Sequence, residues 1–175
     1  MLRLRPYLSS DAAAIVSWSE DEAAFRRWSA DRFPAYPITA EDLDRHYRDM
    51  AESGIFYPFT AFDDAGPVGH LIMRFTDRDK TALRFGFVIV DPRRRGLGIG
   101  REMLRLAVRY AFDCLKAEAI TLGVFENNEP AHRCYRSAGF LDMPSRGPAW
   151  YPIGNENWKC IEMELTKGGR SAPEP

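Results

Sequence analysis

The chain lacks most features that would set it apart from ordinary soluble enzymes and binding domains. It has only three cysteines, Cys114, Cys134 and Cys160, too far apart for a CxxC metal pair or a disulfide framework. They are expected as buried free thiols in a reducing compartment, and no metal site is expected. No apolar run is long enough to span a bilayer. The amino terminus, MLRLRPYLSSD, has neither the apolar stretch nor the small-residue cleavage site of a secretory signal. A cytoplasmic protein with no membrane partner is the expectation. The net charge is −1 and the one basic run is short, which excludes a general affinity for polyanions and gives no reason to expect a nucleic-acid partner. There is no internal repeat and no linker.

What is present suits one globular domain. With 175 residues, 45% of them hydrophobic, the chain is long enough for a sizeable core. The domain is expected to cover residues 1–167. Residues 168–175 (GGRSAPEP) have almost nothing to bury and read as a disordered tail.

Periodicity divides the domain into alternating elements. Leu2, Leu4 and Pro6 alternate with arginines, as in a first strand. Helices are expected after Ser10-Asp11, over 21–28, and from a Thr39 cap through 51, where Glu41 and Asp42 form an acidic first turn. Residues 57–62 and 68–75 read as strands around the Asp63-Asp64-Ala65-Gly66 turn. Residues 83–90 are nearly all apolar and read as a central strand buried on both faces. Residues 98–116 form an amphipathic helix with Met103, Leu104, Ala107, Val108, Ala111 and Leu115 on one face. A strand over 119–125, a helix from Pro130 to Ala138 that Gly139 stops, a short strand from Phe140 and a last strand over 158–165 complete an α/β layer architecture with a mixed sheet. Residues 144–157, with several Pro and Gly, read as a loop.

The residues that point to chemistry lie at two helix starts. The strand 83–90 runs through Arg93-Arg94-Arg95-Gly96-Leu97-Gly98-Ile99-Gly100 into the long helix. Unpaired N–H groups and the positive end of the helix dipole make such a turn a seat for phosphate oxygens, and glycines let the backbone approach them closely. Three arginines add positive charge. The spacing is neither the Rossmann GxGxxG, since position 103 is Met103, nor a Walker A loop. The second helix start is Asn128-Glu129-Pro130-Ala131, followed by Tyr135 and Gly139-Phe140.

Arg95-x-x-Gly98-x-Gly100 resembles the R/Q-x-x-G-x-G/A signature of GNAT-superfamily N-acetyltransferases. The stretch from Asn128 to Phe140 resembles that family's N-x-x-A-x-x-x-Y-x-x-x-G-F pattern. The resemblance implies a GNAT-like α/β fold: a mixed, mostly antiparallel sheet splayed between its fourth and fifth strands and flanked by helices. The cosubstrate would be acetyl-CoA. Its diphosphate would lie on Arg95, Gly96, Gly98, Ile99, Gly100 and Arg101, and its pantetheine arm on backbone groups of Val88 and Val90. Asn128 would touch it near the second helix, and Tyr135 would be the general acid that protonates the departing thiolate. The partner would be a primary amine on a small molecule or a protein, attacking the thioester directly. Homodimers are common in that family. The N-terminal LRLRPYLSSDAAAIVSW also resembles the start of ribosomal-protein-type acetyltransferases in the superfamily.

The sequence departs from the family in its base. The two positions where members commonly carry a catalytic glutamate hold Arg84 and Gly123, and arginine is no base at ordinary pH. Glu126, His70 and Asp91 remain as substitutes, none singled out. By strand alternation Arg84 shares a face with Gly86 and Val88, where its guanidinium would hold an anion on the acceptor or extend to solvent. Trp18, Phe25, Trp28, Phe33 and Tyr36 suit either a core or an acceptor wall. A non-catalytic acyl-CoA sensor and transfer of a longer acyl group stand as rival readings.

Overall fold

The computed structural model describes residues 1–144, 147 and 149–168. Of the expected tail, only Gly168 is among them. Among the described residues, eight strands form one sheet: β1 (Arg3–Pro6), β2 (Phe56–Asp63), β3 (Gly66–Phe75), β4 (Ala82–Val90), β5 (Ala119–Phe125), β6 (Leu141–Asp142), β7 (Ala149–Ile153) and β8 (Glu156–Thr166). Their order is β1-β2-β3-β4-β5-β8-β6, with β7 hairpinned onto β8. Every pairing is antiparallel except β4 with β5. That parallel ladder stops after Arg84↔Thr121, so the rest of both strands diverges and leaves a splay in the middle of the sheet. The mixed, mostly antiparallel α/β sheet matches the expected fold.

Helices cover both faces because both faces of the sheet are apolar. On one side lie α1 (Ala12–Ser17), α2 (Glu22–Ser29) and α3 (Ala40–Ala51), which bury Ile15, Phe25, Trp28, Leu43 and Tyr47 with Phe56, Ile72 and Ile89 of the sheet. On the other lie α4 (Ile99–Asp113) and α5 (Glu129–Ser137). There Met103, Leu104, Ala107, Ala111 and Tyr135 pack on Phe59, Leu71, Met73, Leu83 and Phe85. Met103 and Leu104 are wholly buried, which contributes roughly 2 kcal/mol each. Thr39 begins α3 as expected, accepting the Asp42 N–H at 3.2 Å while the Asp42 carboxylate accepts the Thr39 N–H at 2.9 Å.

Three expectations are corrected. β4 is not buried throughout: only Leu83, Phe85 and Ile89 are, because its far half faces the splay. Residues 144–157 are not a plain loop: β7 pairs with β8 through a two-residue Gly154-Asn155 turn, with Gly154 at φ +57°. Only one of the three thiols is buried: Cys160 is, Cys134 is half-buried and Cys114 is exposed at the end of α4.

One buried ion pair fixes the first strand. The Asp11 carboxylate, 2% exposed, receives both guanidinium nitrogens of Arg5 at 2.6 and 2.8 Å, the Leu8 N–H at 3.0 Å and the Thr60 hydroxyl at 2.8 Å. Burial pushes this carboxyl up, but the four bonds outweigh burial and hold it below the ordinary aspartate value. Its stabilising contribution is therefore complete above about pH 3.9 and is lost as the pH falls through the lowered folded value. Asp11→Asn leaves Arg5 without a counter-charge and is expected to cost about 3 kcal/mol at pH 7. In urea unfolding, that deficit shrinks below about pH 4. A deficit unchanged down to pH 2 would assign the loss to packing.

Candidate active site

The site begins with an irregularity in β4. His70 pairs with Ile89 and Ile72 with Gly86, so Leu71 alone faces two residues, Phe87 and Val88. This is a β-bulge, and Phe87 takes the left-handed conformation (φ +50°) that the extra residue needs. The Trp28 indole N–H donates to the Phe87 carbonyl at 2.9 Å and pins the bulge to α2. One extra residue also reverses the parity of the strand. Leu83 and Phe85 pack on the α4 side, Phe87 and Ile89 on the α1–α3 side, and Val88 and Val90 return to the α4 side. The expectation that Arg84 shares a face with Val88 is therefore wrong, because uninterrupted alternation does not survive the bulge.

Beyond the splay, β4 leads into the glycine turn. Gly96 and Gly98 have φ of +78° and +80°, and open space surrounds the Cβ position of each. Gly98 is the N-cap of α4 and offers no side chain to the helix's first N–H groups, and Gly98, Ile99 and Gly100 line the cleft described below. Gly100 is needed for another reason: a Cβ there would lie 3.0 Å from the Cys134 sulfur, where α4 meets α5. The three arginines are less free than their sequence suggests. Arg93 folds back onto Asp91, Arg94 bridges to Asp63, and Arg95 reaches Glu20 at 2.9 Å and the Trp18 carbonyl at 3.4 Å. Arg101 is exposed beside the turn.

The second helix start faces the first across the splay. Asn128 is the N-cap of α5, yet its side chain makes no capping bond, which leaves the amide available to a ligand. Tyr135 is 7% exposed, and its hydroxyl bonds to no other described residue. Burial, with the neighbouring Cys134 and Cys160, holds the phenol far above its ordinary value, so it remains a proton donor at neutral pH.

Two cavities meet at the splay. A cleft of about 830 Å³ runs along its α4–α5 side. Val88, Val90, Arg95, Gly96, Gly98, Ile99, Gly100, Arg101, Asn128 and Tyr135 all line it, so every expected cofactor contact and the expected acid come together. A groove of about 810 Å³ opens on the α2–α3 side, and Trp28, Phe85, Gly86, Phe87, Gly123 and Phe125 line both cavities.

None of the substitute bases lines either cavity. His70 is wholly buried with its Nε2 on the Tyr47 hydroxyl at 2.6 Å, Asp91 is held by Arg93, and Glu126 pairs with Lys159 at the surface. The acidic residue lining the groove is Glu162 of β8, directly opposite Gly123. Both its oxygens are held by Arg84, at 2.6 and 2.9 Å. Arg84 therefore neither extends to solvent nor presents a free fork to an acceptor. Its guanidinium is raised above its ordinary value, because the bonds and charge of Glu162 outweigh burial.

Gly123 makes room for this pair. A Cβ there would lie 2.7 Å from the Cys160 sulfur and 2.8 Å from Arg84 Nη2. Gly123→Ala is expected to lower stability by about 1–2 kcal/mol through overpacking, read as a lower urea midpoint with an unchanged slope. An unchanged midpoint would mean that the Arg84–Glu162 pair yields without cost.

Several groove residues were not singled out from sequence. Glu162 lies far from Arg84 along the chain, and no local pattern links them. Arg74 and Arg32 belong to no sequence motif. His46 lies against Phe33 and Phe87 with ring centroids 4.8 and 5.8 Å apart, and burial lowers its basicity and keeps it neutral. Gly86 inside a strand was the one available hint of the bulge.

Known proteins share this fold. The acetyltransferase (GNAT) family matches residues 22–140, well over half of the chain. A spermine/spermidine N(1)-acetyltransferase of Bacillus subtilis (strain 168) is 37% identical over 51 residues, a segment that covers 29% of this chain and only 34% of the relative. Among solved structures, spermidine N-acetyltransferase from Vibrio cholerae in complex with CoA and spermine superposes with a TM-score of 0.78 at 19% identity, over 94% of this chain and 95% of that one. Aminoglycoside acetyltransferase AAC(6')-Ib in complex with coenzyme A and kanamycin gives 0.76 at 18% identity, over 97% and 96%. At such identities the structures establish the fold, and the match across residues 22–140 establishes the family. The chain belongs to the GNAT acetyltransferase family.

Proposed function

We propose that residues 1–167 form a single acetyltransferase domain that transfers acetyl from acetyl-CoA to a primary amine. The observation that carries this reading is the splay: one cleft holds a helix-start anion seat, unpaired strand backbone and a protonated tyrosine, and it joins a separate groove at β4.

The residues fit the cosubstrate. Free N–H groups at Gly98, Ile99 and Gly100 suit a diphosphate, with Arg95, Gly96 and Arg101 beside it. Beyond the last β4–β5 bridge, Val88 and Val90 have backbone groups that an amide-rich pantetheine arm can pair with. Asn128 contributes an uncommitted amide.

The amine enters from the groove and its neutral nitrogen forms a bond to the thioester carbonyl carbon. The carbon–sulfur bond then breaks, and Tyr135 gives its proton to the leaving thiolate and is reprotonated from solvent. The ammonium proton released from the acceptor passes into the groove, where the neutral His46 imidazole takes it. Burial weakens His46 as a base, so an α-amino group, with a pKa of about 8, is a better acceptor than a lysine side chain at about 10.4.

The test is release of CoA thiol from acetyl-CoA with a panel of primary amines, with the acetylated product identified by mass spectrometry. Release that needs an amine supports transfer. Tight binding of acetyl-CoA without release to any amine would leave an acyl-CoA-binding module.

A further inference from the structure

The groove carries a charge pattern that a polycationic acceptor does not fit. Arg27, Arg32, Arg74 and Arg84 line it, against one carboxylate, Glu162. Arg84 consumes that carboxylate by binding both oxygens. Arg74 is left over. It lies directly across from Arg84 on the neighbouring strand, is half-buried, and its side chain makes no hydrogen bond or ion pair with any described residue. Arg27 and Arg32 likewise have no carboxylate partner among the described residues.

Such an arrangement works against folding. Like charges opposite each other on adjacent strands repel, and a half-buried guanidinium without an acceptor loses hydration without recompense. Burial and the fields of Arg84 and Arg32 all weigh against the charge on Arg74. An anion at this place would satisfy the guanidinium donors, and a planar two-oxygen anion would do so bidentately. Sites that carry unrelieved electrostatic cost inside a cleft are candidates for ligand contact.

Resting on the acetyl-transfer reading, we infer that the acceptor is a primary amine bearing its own anionic group, carboxylate or phosphate, and that Arg74 is the residue that selects it. The amine end lies toward Glu162 and Gly123 at the splay, and the anionic end toward Arg74 with Arg32 beside it. Trp28, Phe56, Phe87 and Tyr151 form apolar walls between the two ends. The pattern opposes a polyamine such as spermine, whose additional ammonium groups would meet arginines with no acid to offset them.

The experiment is calorimetric binding to the CoA-saturated protein. The probes are phenylalanyl-phenylalanine against its C-terminal amide, O-phosphoethanolamine against ethanolamine, and spermine. The anionic member of at least one pair is expected to bind about tenfold or more tightly than its neutral partner, and spermine more weakly than either anionic probe. The peptide pair responding alone assigns a carboxylate, and the phosphoethanolamine pair responding alone a phosphate.

Arg74→Gln should abolish the ratio and Arg74→Lys should retain part of it, with CoA affinity and melting temperature close to wild type. Equal binding within both pairs, tighter binding of spermine, no binding of any probe, or a ratio that survives Arg74→Gln would each overturn the inference. Failure of CoA itself to bind would instead refute the acetyl-transfer reading. An anionic probe that binds but is never acetylated would leave the groove assignment standing without it.

Discussion

Tyr135→Phe is expected to lower kcat by about 10²–10⁴-fold, the usual effect of removing a general acid, while the Kd for acetyl-CoA stays within about a factor of two. The split follows from where the hydroxyl lies. The ring packs with Phe140 and Met103 in the core beneath the cleft and contributes to the fold whether or not it carries oxygen. The hydroxyl bonds to no described residue, so its loss leaves no protein group unsatisfied.

Burial keeps the phenol protonated at neutral pH, and the same apolar surroundings disfavour a bare thiolate, so proton donation to sulfur is not opposed by the phenol's raised value. Steady-state kinetics beside a calorimetric titration separates the outcomes. A kcat unchanged in the variant would remove Tyr135 from the chemistry. An equal loss of kcat and binding would make it a packing residue.

Gly98→Val is the second large effect: affinity for acetyl-CoA should fall by at least about 100-fold. Gly98 sits at φ +80°, where an L side chain costs about 1–2 kcal/mol, yet nothing lies within 4 Å of its Cβ position in the protein itself. The variant should therefore fold, with a melting temperature lower by several degrees. Its branched side chain would fill the space where the backbone must approach a diphosphate, and it would strain the turn that presents the α4 N–H groups. Retained affinity in a folded Gly98→Val protein would move the diphosphate off this turn. Gly96→Val offers an internal comparison, because it too has positive φ and open space but lies outside the helix start.

What could be read from the sequence was what local chemistry encodes. The turn from Arg95 to Gly100 and the start of α5 at Asn128 are short segments whose residue types suffice to make a helix start near a strand end, and all their expected contacts line one cleft. The order of elements followed from periodicity in the same way, except for β7, which was read as part of a loop. The bulge was not readable, because it is defined by the register of β4 against β3, and only Gly86 hinted at it.

That single unread residue carried the largest error, since it inverted the face on which Val88 and Val90 lie and removed Arg84 from their side. Glu162 escaped for a similar reason: its meaning comes from standing opposite Gly123 and against Arg84, which are pairings between distant strands. The free charge of Arg93, Arg94 and Arg95 was overstated because Asp91, Asp63 and Glu20 reach them only in the folded chain.

The central claim is that a CoA thioester lies in the splay between β4 and β5. Amide-resolved hydrogen exchange with and without acetyl-CoA tests it most directly. The account predicts slowed exchange at Val88, Val90, Ile99 and Gly100, the backbone groups left free by the broken ladder and the glycine turn. Protection confined to other parts of the sheet, or no change anywhere at saturating acetyl-CoA, would contradict it.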